Sequence, residues 1–190
     1  ITDEVTVVLK KLSPDEIQGA VYILLGRLEP TYTGLEFNLG WKMIVRSLAR
    51  ITGVENERIA TDLKKKGDMG EVVMGLPPHL FSDKKLSVGQ VYERLLAIAK
   101  FEKEGSQEMK VLGLSDLLSD LDQLGAKFVV RIVLGRLRLG FSDKTMLDAL
   151  SVVGRGDKSA RKELDEDYQI LPDVGMLSEK VLTEGMEKAL

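Results

Sequence analysis

The chain has 190 residues, of which 44% are hydrophobic and 30% are charged, the composition of an ordinary globular protein with a sizeable core. It contains no cysteine, and its one histidine, His79, follows two prolines. Disulfides, a conventional zinc site and Cys-His or Ser-His-Asp catalysis are therefore excluded. No apolar run approaches the roughly 20 residues that span a bilayer, and nothing resembles a secretory signal, so we expect no membrane association.

The net charge of −3 conceals two segments of opposite sign. Residues 123–162 carry nine positive and three negative side chains, or +6, whereas residues 163–190 carry two positive and eight negative side chains, or −6. A basic stretch beside an acidic tail bears more on the choice of partners than the total charge does. Ordinary solvated helix faces explain the same pattern, and charge alone does not decide between the two readings.

Apolar residues recur at helical spacing along nearly the whole chain. The first strong start signal is Ser13-Pro14-Asp15-Glu16, in which Ser13 would be the N-cap and Glu16 would complete a capping box. Pro77-Pro78 makes residues 75–87 the clearest linker, because proline blocks a helix. The predicted helices, in chain order, are 2–11, 14–28, 41–51, 55–66, 68–75, 87–103, 107–121, 123–137, 142–152, 158–168 and 173–188.

The β-branched cluster at residues 129–133 is the one place where a strand competes with a helix. We predict a helix, because Ala126, Val130 and Val133 share one helical stripe and no alternating partner strand follows. The predicted fold class is therefore all-α.

Three short stretches occur twice, in the same order. LLGRL (24–28) matches VLGRL (133–137), LEFNLGWKMIVRSL (35–48) matches LRLGFSDKTMLDAL (137–150), and GDMG (67–70) matches PDVG (172–175). They predict a pseudo-twofold repeat of two helical lobes, about 1–76 and 88–190, joined by a linker at 77–87, with helices 14–28 and 123–137 superposing. Chance similarity of short leucine-rich helices is the alternative.

No catalytic constellation is recognisable in the chain. GRGDKSA (154–160) lacks the Gly-Lys-Ser/Thr ending of a phosphate loop, and no pair of carboxylates stands in an apolar setting that would raise a pKa. We therefore predict no catalytic residue and no metal site.

Five stretches together resemble one family. They are LSPDEIQGAVYILLGRL, GLEFNLGWKMIVRSLARITG, KKGDMGEVV, LSVGQVYERLLAIAK and AKFVVRIVLGRLRLGFSDKTMLDAL, and they span essentially the whole chain. In this order they resemble the N-terminal DNA-binding domain of ATP-dependent DNA ligases, most closely the archaeal form. Gly125, where the family often has an acidic residue, and Gly113, within a predicted helix, depart from the pattern and bear on local helix stability.

The resemblance implies a single two-lobed all-α domain, 1–190, that binds the minor groove of nicked duplex DNA while separate catalytic domains close around the nick. The parent would be an ATP- and Mg²⁺-dependent ligase of replication, repair and recombination, working on the nucleoid in a prokaryotic cytoplasm. Its adenylation and OB domains would be partners, together with a sliding clamp. The family's catalytic Lys-x-Asp-Gly motif is absent here, so we expect this segment to be non-catalytic and to bind no cofactor itself.

Carried over onto GRLRLG, the family's DNA-contacting turn falls on Gly135, Arg136, Arg138 and Gly140. Glycine lets a turn approach phosphates closely with exposed backbone N–H groups, and alternate arginines can neutralise adjacent strands. Such contacts position a protein without reading sequence. The alternatives are a glycine helix cap with two solvated arginines and, for the whole chain, a helical-repeat scaffold for protein–protein interaction.

Overall fold

The structure is a computed structural model that describes residues 1–82, 84–103, 105–137 and 139–190. Within these residues every regular element is helical and no strand occurs, which confirms the predicted all-α fold. The described chain divides into two compact units: unit 1 comprises Ile1–Gly34 and Arg138–Leu190, and unit 2 comprises Leu35–Leu137.

Unit 1 combines the first two helices of the chain with the last four. They are α1 (Thr2–Leu9), α2 (Ile17–Leu24), α9 (Asp143–Arg155), α10 (Arg161–Ile170), α11 (Val174–Glu184) and α12 (Met186–Ala189). Helix α1 packs against α9, and α2 packs against α11. Their apolar faces share one core, which includes Val21, Leu147, Leu150 and Val174, all fully buried. This core holds the start of α9 and the turn that precedes it.

Unit 2 contains the six consecutive helices between these two parts. They are α3 (Trp41–Thr52), α4 (Asn56–Lys66), α5 (Met69–Met74), α6 (Val88–Ala99), α7 (Ser106–Ser119) and α8 (Gln123–Val133). Helix α3 packs against α4 and α7, and α5 packs against both α4 and α8. Ile44, Leu48, Ile59 and Leu114 are completely buried between them. Residues 129–133 lie in α8, so the helix predicted there is confirmed.

The boundaries of the two units differ from those of the lobes predicted at 1–76 and 88–190. The physical reason is that α2 packs against the late helix α11, where Tyr22 donates a hydrogen bond of 2.5 Å to Asp173. The predicted linker, 77–87, lies inside unit 2. It contains a short 3-10 turn at Pro78–Leu80, and the N–H of Ser82 donates to the carbonyl of Leu121. This segment is therefore part of a packed unit.

Several helix ends differ from those predicted. Helix α2 begins at Ile17 because Ser13 Oγ donates to the Glu16 carboxylate, so the predicted capping box does not form. Helices α2 and α8 end at Leu24 and Val133, earlier than predicted, because a left-handed glycine follows each of them. The helix predicted at 173–188 breaks at Gly185, whose φ is 87°.

Matched positions of the predicted repeat share local geometry. Asp68 N-caps α5 and Asp173 N-caps α11, each accepting a hydrogen bond from the backbone N–H three residues later. Asn38 and Gly140 also match, with φ of 51° and 79°. These parallels agree with a duplication, but the pseudo-twofold itself stays a prediction.

Candidate nucleic-acid interface

Helix α8 ends in a left-handed glycine cap that leads directly into Arg136. The N–H of Gly135 donates to the carbonyl of Ile132 at 2.9 Å, and the N–H of Arg136 donates to the carbonyl of Arg131 at 2.8 Å. Gly135 has a φ of 62°, a conformation that costs other residues roughly 1–2 kcal/mol. Arg136 is exposed, and its side chain forms no ion pair or hydrogen bond with the described residues.

This geometry changes one part of the expected phosphate contact. We expect exposed backbone N–H groups in the glycine-flanked turn, but those of Gly135 and Arg136 are both used by the helix cap. At this end of the turn the guanidinium of Arg136 is therefore the group available to an anion. Glycine is required at position 135 by the cap conformation.

The other end of the predicted turn belongs to unit 1. Gly140 is exposed with a φ of 79°, and the N–H groups of Leu139 and Gly140 have no hydrogen-bond partner among the described residues. A Cβ at Gly140 would meet nothing closer than the Ile1 side chain, at 4.0 Å. The left-handed backbone, and not lack of space, therefore favours glycine there. Arg138 lies outside the described residues.

Ion pairs neutralise much of the basic segment 123–162. Arg155 pairs with Glu163 and Glu187 of the acidic tail, and Arg161 pairs with Asp148 and Asp165. The hydrogen bonds with Arg155 lower the pKa of Glu163. The charge excess seen in the sequence is thus largely compensated within unit 1, so the unpaired Arg136 of unit 2 stands out.

Helix α8 is anchored to α5 by a cluster of charges. Arg131 Nε donates to both oxygens of Asp68, at 3.1 and 3.2 Å, and its Nη2 donates to Glu71. Lys127 pairs with Glu71 at 2.9 Å, and this contact lowers the pKa of the Glu71 carboxyl. Burial alone would raise the pKa of Asp68, but the hydrogen bonds from Arg131 and from the backbone N–H of Glu71 hold it below its ordinary value. This cluster fixes the helix that carries Gly135 and Arg136.

A groove of about 310 Å³ lies beside Arg136 in unit 2. Leu63, Met69 and Leu134 supply apolar lining, and Trp41, Lys64 and Arg136 also line it. No acidic side chain lines the groove among the described residues. Trp41 is 41% exposed, and Lys42 Nζ lies 5.7 Å from the centroid of its ring, within cation–π distance.

The segment before Trp41 is fixed by a buried ammonium. Lys110 of α7 is 5% exposed, and its Nζ donates to the carbonyls of Phe37 at 2.9 Å and Ala99 at 3.0 Å. Phe37 and Leu39 are buried on either side of Asn38, which is exposed. Lys110 thus replaces the backbone partners that this irregular segment lacks, and it sets where α3 begins.

Comparison with known proteins identifies the family. Residues 1–151 match the family model described as DNA ligase N terminus. The chain belongs to this family. It is 34% identical to the DNA ligase of Nitrosopumilus maritimus and 36% identical to DNA ligase 2 of Thermofilum pendens, with 98% of the chain covered in each case. It is 37% identical over 93% of its length to the DNA ligase of Pyrobaculum calidifontis. The chain spans about a third of the length of these relatives.

Membership of the DNA ligase N-terminus family confirms the resemblance found in the sequence. In this ligase segment, Gly135 and Gly140 have the left-handed backbone that a tight turn needs, and Arg136 is exposed. Within the described ranges no helix is long and apolar enough to cross a bilayer, and no three histidine, aspartate or glutamate side chains are grouped to hold a metal ion.

Trp41 and Lys64 were not singled out by sequence reasoning. The run Lys64-Lys65-Lys66 has the pattern of an ordinary solvated helix face, and a single tryptophan in an apolar stripe is typical of a core. The exposed fraction of Trp41 depends on packing between distant helices, so no local signal gives it. The sequence signal that bears on Trp41 is the repeat, in which Trp41 is aligned with Asp143.

Proposed function

We propose that this chain is a sequence-independent duplex DNA-binding domain of an ATP-dependent DNA ligase. The observation that carries the proposal is the turn at Gly135 and Arg136. In a member of the DNA ligase N-terminus family, this turn presents an exposed arginine with no counter-charge among the described residues. A free guanidinium at a rigid helix end is suited to a phosphate, which it can bind bidentately.

The proposed contact works through charge and close approach. Arg136 and Arg138 neutralise phosphates and release condensed counterions, which favours binding to any sequence. The free N–H groups of Leu139 and Gly140 donate to further phosphate oxygens, and the absence of a side chain at Gly140 lets the backbone come near. Nothing in this arrangement reads base edges, as suits an enzyme that must act at any nick.

The parent protein would supply the chemistry. Its adenylation and OB domains would use ATP and Mg²⁺ to adenylylate a lysine, transfer AMP to the 5′ phosphate of a nick, and join it to the 3′ hydroxyl. Neither the Lys-x-Asp-Gly motif nor a grouped set of metal ligands is contributed by this segment within its described residues. The parent would work on nicked DNA of the nucleoid, in replication and repair, together with a sliding clamp.

The test is a duplex-binding titration across a salt series, with nicked and intact duplexes of two unrelated sequences. Replacing Arg136 or Arg138 by alanine should weaken binding to all of them by a similar factor. The slope of log affinity against log salt should fall by about 1 for each lost contact. Lys162→Ala is the matched control, since it removes an exposed cation of α10 whose one ion-pair partner among the described residues is Glu166. If both arginine variants bind like the unaltered domain at low salt, this turn is a helix cap and not the DNA contact.

A further inference from the structure

Trp41 forms part of the wall of the groove beside Arg136. Trp41 is the only tryptophan of the chain, it opens α3, and 41% of it is exposed to solvent. A tryptophan carries a large apolar surface, so leaving it exposed is costly unless a ligand covers it. The buried face of α3 is formed by other residues, such as Ile44 and Leu48. The exposed part of the indole therefore lies outside the fully buried face of α3 and is open to a ligand.

The charges of the groove indicate what kind of ligand would cover it. Lys64 of α4 and Arg136 after α8 stand on its walls, and neither has an ion-pair partner among the described residues. The rest of the lining is apolar. At about 310 Å³ the groove is at the lower end of small-ligand pockets, which run from roughly 300 to 1,000 Å³. Apolar lining between two cations suits a polymer that alternates an apolar sugar face with anionic phosphates.

The arginine of unit 1 that matches Arg136 in the predicted repeat is paired with a carboxylate of the chain itself. In the predicted repeat, Arg27 matches Arg136 and Asp143 matches Trp41. Arg27 Nη2 pairs with Asp143 at 3.0 Å, and Tyr168 donates to the same carboxylate. The charge of the unit 1 arginine is therefore paired within the unit, although the buried Nε of Arg27 has no hydrogen-bond partner among the described residues. In unit 2 an aromatic ring stands at the position of the carboxylate, and Arg136 has no ion-pair partner among the described residues.

We infer that this groove receives one strand of duplex DNA. Trp41 packs against a deoxyribose, and Lys64 and Arg136 bind neighbouring phosphates of the same strand. The inference rests on the proposed function and extends it to two residues, Trp41 and Lys64, outside the GRLRLG turn. A contact with deoxyribose tolerates any sequence, because every nucleotide has the same sugar.

The single tryptophan makes a direct test possible. Intrinsic fluorescence should change on titration with unlabelled duplex, with the same midpoint as the anisotropy of a labelled duplex. Trp41→Ala should weaken duplex binding about tenfold without altering the salt slope, because a stacking contact releases no counterion, whereas Trp41→Phe should retain most of the affinity. Lys64→Ala should lower the slope by about 1. Tyr32→Ala is the control, since Tyr32 is an exposed aromatic residue of unit 1.

The outcomes separate this inference from the proposed function. If the duplex binds, but Trp41 fluorescence stays constant and Trp41→Ala binds like the unaltered domain, the groove is not a DNA site and the proposed function stands. If the unaltered domain binds no duplex even at low salt, the proposed function fails and the inference fails with it. If polyglutamate changes the fluorescence as strongly as duplex does, the groove accepts an acidic protein and the inference is overturned. Circular dichroism establishes that each variant is folded.

Discussion

Two helix ends in this molecule share the sequence LGRL and the same cap, yet their arginines have opposite surroundings. After α2, the N–H of Arg27 donates to the carbonyl of Tyr22 across Gly26, whose φ is 73°. After α8, the N–H of Arg136 makes the equivalent bond across Gly135. The Arg27 side chain is 19% exposed and paired with Asp143, whereas Arg136 is exposed and has no partner among the described residues.

The difference teaches that the glycine cap fixes the backbone of each arginine, whereas the first residue of a helix distant in sequence determines whether its side chain is paired. In unit 1 the first residue of α9 is an aspartate, and Tyr168 joins it to complete a closed polar cluster. In unit 2 the first residue of α3 is Trp41, and a groove remains open. A single position thus separates a structural arginine from one available to a ligand.

The largest expected effect concerns the packing of α11 and α5, the two helices whose N-caps are Asp173 and Asp68. A Cβ at Gly175 would lie 2.4–2.8 Å from the ring and hydroxyl of Tyr22, which is buried and hydrogen-bonded to Asp173. We expect Gly175→Ala to lower the free energy of unfolding by about 3 kcal/mol, because overpacking a rigid ring forces the backbone apart. Chemical denaturation measures it.

Gly70→Ala is the matched variant in unit 2. Its Cβ would meet the Nε of Arg131 at 2.6 Å, but the Arg131 side chain is 22% exposed and can shift. The cost should be under about 1 kcal/mol. Equal losses of stability for the two alanine variants would contradict the expectation that the Tyr22 ring is rigid whereas the Arg131 side chain can shift.

Removing the carboxylate of unit 1 should be the next largest effect. Asp143→Ala leaves Arg27 half-buried without its partner and takes the acceptor from Tyr168, so stability should fall by about 2 kcal/mol. Asp116→Ala is the control, because Asp116 pairs with Arg94 but is 80% exposed, and it should cost only a few tenths of a kcal/mol. A loss as small as that of the control would show that the closed cluster contributes little.

Placing the unit 1 carboxylate in unit 2 is the sharpest test of the comparison. Trp41→Asp puts an acid at the first turn of α3, where the helix dipole favours it, so the fold should be kept. The new carboxylate should neutralise Arg136 as Asp143 neutralises Arg27, and duplex affinity should fall more than tenfold, with a smaller salt slope. Trp41→Asn separates the loss of the ring from the added charge. If the two variants bind equally, Arg136 does not need to be free.

The smallest expected effect is a pH dependence that belongs to unit 1. Burial, together with the hydrogen bond to Asp143, raises the pKa of Tyr168 to about 12. The folded state therefore favours the neutral phenol. Its contribution to stability is complete below about pH 10, the pKa of a free tyrosine, and is lost as the pH rises towards 12. Urea unfolding at increasing pH should show a steeper decline for the unaltered chain than for Tyr168→Phe. Parallel curves would contradict it.

Local patterns predicted the helices well, since apolar spacing and glycine caps such as Gly53 act over a few residues. The family and the exposed turn at Gly135 and Arg136 were also accessible from motifs. The division into units was not, because it depends on Tyr22 packing against a helix about 150 residues later in the chain. The groove was missed for the same reason: the exposure of Trp41 and the burial of Lys110 are set by distant helices.

The buried ammonium of Lys110 has a kinetic consequence. Because it holds the carbonyls of Phe37 and Ala99, the irregular segment before α3 is ordered in the free protein. Binding of a ligand in the groove therefore carries no free-energy cost for ordering that segment. Association should then proceed at the rate at which a charged polymer meets a preformed cationic surface, which is fast and falls steeply with ionic strength. The lifetime of such a complex would then be set by its dissociation rate.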